Sequence, residues 1–406
     1  MLYEQTYSKF LSFKGEPLRQ GRQKIHPYPA MLHPLLVDYL IDQYANKNSV
    51  ILDPFSGSGV SLLQSGLKGY PSYGFDINPF ALLISKAKTT NYDLELLEKD
   101  IKEIQSEIKK CEKVDIPEIK NIDYWYSQSV QNSLGRIRYC LKHGSYHYPE
   151  LLKTCFALVC RDQSYTRKGE FKRYRIKADK IEKRKDEVMR RFCNHLETIL
   201  EVIKESDKEI LSPRHFFDTS ENIGQYHLEY DLIITSPPYG DSHTTVAYGE
   251  FSSFGLEWVN DCINISSEYR IDKQSVGRKR SIAKGLLENK ILNDTLELIK
   301  HQDESRSIEV LYFFNEYLII LENVLNQLPK NGIACYVVGN RRVKGIEIPT
   351  DQITAEMMEK CGMSIKEILV RDISNKVMPS KNSPSNRVGE KDKTMSFEYI
   401  VVGNKE

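Results

Sequence analysis

The sequence has almost no net charge, no long apolar run and no paired cysteine motif. Lysine and arginine number 57 against 56 aspartate and glutamate, a formal charge of +1. Binding to nucleic acid would therefore need a local basic patch, because no global field attracts it. No apolar run approaches the roughly 18 residues of a membrane helix. The first residues, MLYEQTYSKFLSFKGE, lack a signal peptide's apolar core. We predict a cytoplasmic protein with no membrane partner.

The cysteine pattern excludes two further classes of protein. The eight cysteines form no CxxC pair, and no cysteine or histidine pair has the spacing of a zinc finger. A chain of 406 residues has enough length for one large core with insertions, or for two domains, without disulfide bonds. We therefore predict reduced thiols and no metal site.

An alternation of strand and helix patterns opens the chain. Residues 48–53 (NSVILD) form an apolar strand pattern, followed by the turn PFSGSG and the helical pattern VSLLQSGLKG. A second strand, YPSYGFD, precedes NPFALLISKAKTTN, whose asparagine and proline are typical of a helix start. This βαβ unit predicts an α/β fold with a mostly parallel sheet and helices on both faces.

Long charged segments interrupt this pattern. Strand patterns return at 209–217 and 230–235, then at 332–340, 368–373 and 397–403, after an amphipathic helix at 310–328. We predict a discontinuous catalytic domain of residues 20–92, 209–240 and 308–406. Residues 93–208 form one insertion, largely helical, and residues 241–307 form a second. A connection as long as the first insertion must carry its own structure, and either insertion could hold a recognition function.

Acidic residues end three of the predicted strands. Gly57 and Gly59 allow a ligand to approach the backbone beside a helix N-terminus, although a tight turn explains them equally well. Asp76 ends the next strand, where an acid accepts hydrogen bonds from ribose hydroxyls; the alternative is a helix cap. Asp218 has the same placement after a third strand and could meet an adenine amine or cap a helix.

The stretch DLIITSPPYG runs from an apolar strand into two prolines. Prolines remove backbone donors and stiffen the corner, so Ser236 Oγ and a neighbouring carbonyl become fixed acceptors. Tyr239 adds a ring for stacking. Ligands of open parallel sheets bind beyond the carboxyl ends of the strands, so this corner and Asp53 are expected to share a crevice. Fixed acceptors and a stacking ring suit a planar group with an exocyclic amine, although a rigid turn is the simpler interpretation.

The motif DPFSGSG followed by TSPPY resembles the motifs of the amino-methylating DNA methyltransferases, which use S-adenosylmethionine. Serine at the first position of SPPY is similar to the form found in their N4-cytosine branch. KIHPYPAMLHPLLVDYLI and FEYIVVGNK resemble further segments of that family, which implies a Rossmann-like methyltransferase fold. The implied site residues fall into two sets. Cofactor contacts are implied for Tyr28, Pro29, Asp53, Pro54, Phe55, Gly57, Gly59, Asp76, Ile77 and Asp218. Catalytic contacts with the target base are implied for Ser236, Pro237, Pro238 and Tyr239.

The resemblance implies methyl transfer from the sulfonium to cytosine N4 in duplex DNA, with the base flipped out of the stack. Ser236 and the Pro237 carbonyl would accept the amine protons, and no Pro-Cys nucleophile of a C5-methylating enzyme is present. A cognate restriction endonuclease would be a natural partner in a restriction-modification system. Adenine-N6 methylation, RNA base methylation and a non-catalytic DNA-binding module stay open as alternatives.

A basic stretch in the first insertion is the main candidate for contacts with DNA. Residues 161–191 hold 13 lysine and arginine residues against 6 acids, a net charge of +7. Such a surface suits phosphate contacts, although a solvated helix face with ion pairs explains it too. The predicted DNA-binding residues come from this stretch and from GRKRS: Arg167, Lys168, Lys172, Arg173, Arg175, Arg278, Lys279 and Arg280.

Overall fold

The structure is a computed structural model of the full chain. It describes residues 2–169, 172–206, 208–239, 248–263, 271–277, 288–373, 381–382, 392–393 and 395–406. Arg278, Lys279 and Arg280 lie outside the described residues. Within them, the cysteines whose side chains are described carry free thiols, and no helix combines the length and apolar character needed to cross a bilayer.

Short strands build the sheets. They are β1 (Gln5–Tyr7), β2 (Ile51–Asp53), β3 (Ser72–Phe75), β4 (Arg214–Phe216), β5 (Leu232–Thr235), β6 (Ile333–Val338), β7 (Arg342–Val343), β8 (Ile346–Glu347), β9 (Met363–Asp372), β10 (Lys381–Asn382), β11 (Asp392–Lys393) and β12 (Phe397–Lys405). The predicted strands at 48–53, 230–235 and 332–340 are all present, and those predicted at 368–373 and 397–403 extend further than the patterns indicated.

Helices occupy most of the remaining chain. They are α1 (Pro34–Tyr44), α2 (Val60–Leu67), α3 (Pro79–Thr89), α4 (Leu94–Lys110), α5 (Ile122–Trp125), α6 (Gln128–His143), α7 (Pro149–Gln163), α8 (Ala178–Ile181), α9 (Val188–Glu205), α10 (Tyr248–Val259), α11 (Ile271–Gln274), α12 (Lys290–Lys300), α13 (Glu304–Leu325) and α14 (Thr350–Lys360). Four 3-10 turns, at Phe10–Ser12, Gly21–Lys24, Ser220–Tyr226 and Asn260–Ile263, complete the described elements.

The main sheet has the order β1-β9-β12-β6-β5-β2-β3-β4. β12 runs antiparallel to both of its neighbours, and the other pairings are parallel. The predicted α/β fold with a mostly parallel sheet is therefore confirmed. Because β2, β3, β4 and β5 run the same way, the residues that follow them emerge at one edge.

Helices cover both faces of this sheet. Successive side chains of a strand point to opposite faces, so apolar residues at consecutive positions need a helix on each face. Ile233 and Tyr336 pack on the face covered by α12, α13 and α14. Their chain neighbours Ile234 and Cys335 pack on the other face, against α1. The central strands are therefore buried on both sides, which explains why their sequences are continuously apolar.

The helices of the first insertion pack against α3 and share a buried cluster with it. Phe80 and Ile84 of α3 belong to one buried cluster with Phe156 of α7 and Trp258 of α10. The first insertion is thus mostly helical, as predicted. Helix α10, from the second insertion, packs on both α7 and α3, so the described helices of the two insertions form one body with α3.

Candidate active site and cofactor cavity

A cleft of about 1260 Å³, its opening to solvent included, lies at the carboxyl ends of β2, β3, β4 and β5. The segments that follow these strands supply its walls, together with the N-terminal segment and parts of α10, α11 and α13. The predicted site residues that line it are Tyr28, Pro29, Asp53, Pro54, Phe55, Gly57, Asp76, Ile77, Asp218, Ser236 and Pro238. The glycine turn and the proline corner, far apart in sequence, therefore share one crevice.

The turn after β2 depends on its two glycines. Gly57 and Gly59 have φ of 50° and 75°, the left-handed region that glycine adopts without strain. Gly59 caps α2 and offers no side-chain acceptor, so the first N–H groups of α2 face the turn. A Cβ at Gly59 would overlap the Ser85 hydroxyl and stand 2.8 Å from Ser85 Cβ. Both the backbone angle and the close packing of α2 on α3 therefore require glycine at position 59.

Asp53 ties the glycine turn to the proline corner. Its Oδ1 accepts a hydrogen bond from Thr235 Oγ1 at 2.7 Å and another from Phe55 N at 3.0 Å. Its Oδ2 accepts from Ser61 Oγ. Burial raises the pKa of Asp53 to about 6, although these three donors act in the opposite direction. The carboxylate thus holds β2, α2 and the end of β5 in one arrangement.

Asp76 braces the same turn from β3. Its Oδ2 accepts from Gly57 N at 2.8 Å, and its Oδ1 accepts from Asn78 N at 2.7 Å. Burial raises its pKa to about 6. The helix cap of α3 is instead Asn78, whose Oδ1 accepts from Phe80 N at 3.0 Å. Asp76 is therefore not the simple helix cap of the alternative interpretation, and it lines the cleft.

Asp218 is held by its own segment. It accepts from Tyr226 OH at 2.7 Å and from Asn222 Nδ2 at 2.9 Å. The cap of the following turn is Thr219, whose Oγ1 accepts from Glu221 N. The structure thus assigns the capping role to Thr219 and leaves Asp218 on the wall of the cleft. Its contact with adenine stays a prediction.

The proline corner has an internal hydrogen bond. Ser236 Oγ lies 2.9 Å from Tyr239 OH. The Tyr239 ring is 9% exposed and packs beside Gly339, where an added Cβ would meet Tyr239 Cδ2 at 3.2 Å. Burial raises the pKa of Tyr239. Ser236 and Pro238 line the cleft, whereas Pro237 and Tyr239 lie behind its wall. Base stacking on Tyr239 stays a prediction, and it requires a ring face to be uncovered.

Several contacts in the cleft wall carry no signal that sequence inspection detects. Asn78 Nδ2 donates to Tyr28 OH and to Ser252 Oγ, both at 2.8 Å, so it joins the N-terminal segment to α10. The rings of Tyr28 and Tyr248 are stacked with centroids 6.0 Å apart. Glu316, buried in α13, accepts from Gly277 N at 2.8 Å. Only the folded chain brings these residues to the cleft, although the asparagine of NPF was recognisable as a helix cap.

The basic stretch of the first insertion divides into two groups. Arg167 and Lys168 are exposed, as phosphate contacts require. Arg173 pairs with Glu257 at 2.8 Å and lies over the Phe254 ring at 4.1 Å. The other half-buried members are Lys172 and Arg175, and the Arg175 guanidinium lies 4.0 Å from the centroid of the Tyr124 ring. Arg173 thus attaches the insertion to α10, and Arg175 packs on α5 within the insertion, so their predicted contact with DNA competes with packing.

Comparisons with known proteins identify the family of the chain. A family model described as DNA methylase matches residues 4–87. The type II methyltransferase M.MvaI of Kocuria varians is 31% identical over an alignment that covers 97% of this chain and 93% of that protein. The chain belongs to the amino-methylating DNA methyltransferase family. M.BsoBI of Geobacillus stearothermophilus, another type II methyltransferase, is 22% identical over 80% of this chain and 75% of its own. Among solved structures, TrmN of Thermus thermophilus aligns at 10% identity over 92% of this chain and 49% of that chain, with a TM-score of only 0.33.

Membership in this family makes S-adenosylmethionine the methyl donor and DNA the substrate of this methyltransferase. The charges of the cleft fit that donor, which has a sulfonium, an ammonium, a carboxylate and a ribose. Five carboxylates line the cleft and complement the two cations and the ribose hydroxyls of the donor. They belong to Asp53, Asp76, Asp218, Glu221 and Glu316. The glycine turn and the N-terminus of α2 are the complementary place for its carboxylate.

Proposed function

We propose that this methyltransferase modifies the N4 amine of cytosine at specific sites in duplex DNA, as the modification component of a restriction-modification system with a cognate endonuclease. The observation that carries the proposal is the shared cleft: Ser236 and Pro238 stand on the same walls as the glycine turn. A methyl donor in the turn and an amine at the corner would then be close enough for direct transfer.

The cofactor placement follows from the hydrogen-bonding capacity of each wall. Asp76 uses one lone pair of each oxygen on Gly57 N and Asn78 N, and the remaining lone pairs can accept from the ribose hydroxyls. Asp218 would meet the adenine amine. Tyr28, Pro29 and Phe55 would enclose the methionine end, with Gly57 and Gly59 allowing backbone approach. The bound donor supplies an electrophilic methyl group on a positively charged sulfur.

The corner residues would prepare the amine. The lone pair of a cytosine amine is delocalised into the ring, so the amine is a weak nucleophile. Ser236 Oγ and the Pro237 carbonyl would each accept a hydrogen bond from one of its two N–H groups, which returns electron density to nitrogen. Tyr239 OH lies 2.9 Å from Ser236 Oγ. By donating to it, Tyr239 would occupy one of the two serine lone pairs and leave the other for the amine. A serine at the first position of the corner favours cytosine N4 over adenine N6.

The target base would leave the duplex to reach this corner, at a cost of a few kcal/mol for unstacking. The exposed residues Arg167 and Lys168 are the described basic side chains best suited to hold the phosphates. The first insertion, residues 93–208, would carry target recognition together with α10, because α10 borders the cleft at Tyr248 and α7 of the first insertion packs on α10.

The test is to identify the methylated nucleoside. The protein is incubated with methyl-tritiated S-adenosylmethionine and unmethylated plasmid DNA, or with bulk RNA, and the nucleic acid is digested to nucleosides. We expect label in N4-methyldeoxycytidine. Label in N6-methyldeoxyadenosine would replace cytosine by adenine as the target, and label confined to RNA or absent from both would contradict the proposal.

A further inference from the structure

A lysine is buried behind the glycine turn. Lys88 of α3 has 0% of its surface exposed, and its Nζ donates to Ser58 Oγ at 3.1 Å. Ser58 lies between the two glycines of the turn and lines the cleft. Burial lowers the pKa of Lys88 to about 7, and the charge of Arg19 lowers it further. Lysine is almost never fully buried without a partner of opposite charge.

The surroundings of Lys88 supply no such partner. Among the described residues it forms no ion pair, and its Nζ donates to the neutral Ser58 hydroxyl. From the N-terminal segment, Arg19 faces it and Arg22 Nη1 contacts its carbonyl at 3.5 Å. His26 is buried and its pKa is lowered to about 3, so it adds no charge near neutral pH.

Helix α7 contributes the remaining charges near this buried group. Arg161 lies with its guanidinium 4.5 Å from the centroid of the Phe251 ring, and it acts on His26 as a further positive charge. Asp162, the nearby acid, faces His195 at 3.5 Å and Arg191 at 3.8 Å instead. The region behind the turn is therefore cationic, whereas the rest of the cleft wall is rich in carboxylates.

We propose that Lys88 is a positioning residue that fixes the glycine turn through Ser58 and supplies the counter-charge for the carboxylate of S-adenosylmethionine. The carboxylate is the single anionic group of that donor. Lys88, with Arg19 nearby, places positive charge behind Ser58 of the turn, whereas Asp53 and Asp76 bind the Phe55 and Gly57 N–H groups. The proposal rests on the cofactor placement given above, but not on the identity of the methylated base.

Two ligands separate the carboxylate contact from a general effect on the turn. S-adenosylhomocysteine retains the carboxylate, and 5′-methylthioadenosine has the same adenosine without the amino-acid end. Calorimetric titration would compare the wild type with Lys88→Met, which removes the charge and keeps the volume. Lys86→Met, an exposed lysine on the same helix, is the matched control.

For Lys88→Met we expect affinity for S-adenosylhomocysteine to fall about 10- to 30-fold, with less than a twofold change for 5′-methylthioadenosine. Lys86→Met should leave both affinities unchanged. Equal losses for both ligands would reduce Lys88 to a structural role, and retained affinity for S-adenosylhomocysteine would overturn the proposal.

A measurement on the unaltered protein guards against misfolding of the variant. At pH 7 a lysine with a pKa near 7 is about half protonated, so binding of a carboxylate should draw in about half a proton per ligand. Titration with S-adenosylhomocysteine in two buffers of different ionisation enthalpy measures this uptake. Uptake equal to that with 5′-methylthioadenosine would contradict the counter-charge role.

Discussion

Replacing Gly59 by alanine tests how tightly the cofactor turn is built. Its φ of 75° lies in the left-handed region, where a Cβ costs about 1–2 kcal/mol. The new methyl group would also displace the Ser85 hydroxyl, which lies 2.9 Å from His215 Nε2. Loss of that partly buried hydrogen bond adds about 1–3 kcal/mol. We therefore expect Gly59→Ala to lower the free energy of unfolding by about 2–5 kcal/mol and to weaken cofactor binding.

Gly69 provides the matched control for this substitution. Its φ is 79°, and an added Cβ would meet nothing within 4 Å. Gly69→Ala should therefore cost only the backbone strain, about 1–2 kcal/mol. Chemical denaturation followed by circular dichroism measures both variants. If Gly59→Ala proved no more destabilising than Gly69→Ala, the close packing of the turn against Ser85 would be refuted.

Three further changes test other contacts. Cofactor affinity should fall as the pH drops below about 6. The cations and hydroxyl groups of the bound cofactor favour the ionised over the protonated form of Asp53 and Asp76, whose pKa values in the free protein are about 6. Calorimetry across pH 5–8 measures this fall, and an affinity independent of pH would contradict it. Thr235→Val removes the 2.7 Å hydrogen bond to Asp53 and should lower the free energy of unfolding by about 1.5–3 kcal/mol. Because that hydrogen bond lowers the pKa of Asp53, its loss should also move the fall in affinity to higher pH. An unchanged free energy of unfolding would exclude a stabilising link between Asp53 and the end of β5. Arg138→Met removes a buried guanidinium that binds Asp115, Asp261 and the Trp258 carbonyl. We expect the free energy of unfolding, measured by chemical denaturation, to fall by about 1.5–3 kcal/mol. An unchanged free energy would show that solvent satisfies the two acids as well as Arg138 does.

The sequence predicts the cofactor edge well because local chemistry specifies it. Short apolar strands, left-handed glycines and an Asn-Pro helix start each act within a few residues. Together they placed Asp53, Asp76 and Ser236 after parallel strands, and the structure brings all three to one cleft.

The remaining walls depend on contacts between distant segments. Glu316 lies on a helix whose apolar pattern indicates only a core element, and Tyr248 begins a helix that sequence inspection did not identify. Lys88 reads as one of several basic residues on an ordinary helix, since burial of its face is a tertiary effect. Strand β1 and helix α14 were also missed: three residues give no usable periodicity, and the sequence of α14 mixes polar and apolar residues.

The basic stretch shows a second limit of sequence reasoning. Arg173 and Arg175 have the composition of a phosphate-binding surface, but aromatic rings and Glu257 hold them in the fold. Charge counting does not distinguish arginines that face solvent from those that stack on neighbouring rings.

The proposed role of the corner at Ser236 is to act on the target amine without taking part in holding the cofactor. Parallel measurement of S-adenosylmethionine affinity and tritium transfer to DNA in Ser236→Ala tests it most directly. We predict an affinity within twofold of wild type and a transfer rate lower by about 10²–10³-fold. Transfer at the wild-type rate, or a loss fully explained by weaker cofactor binding, would contradict it.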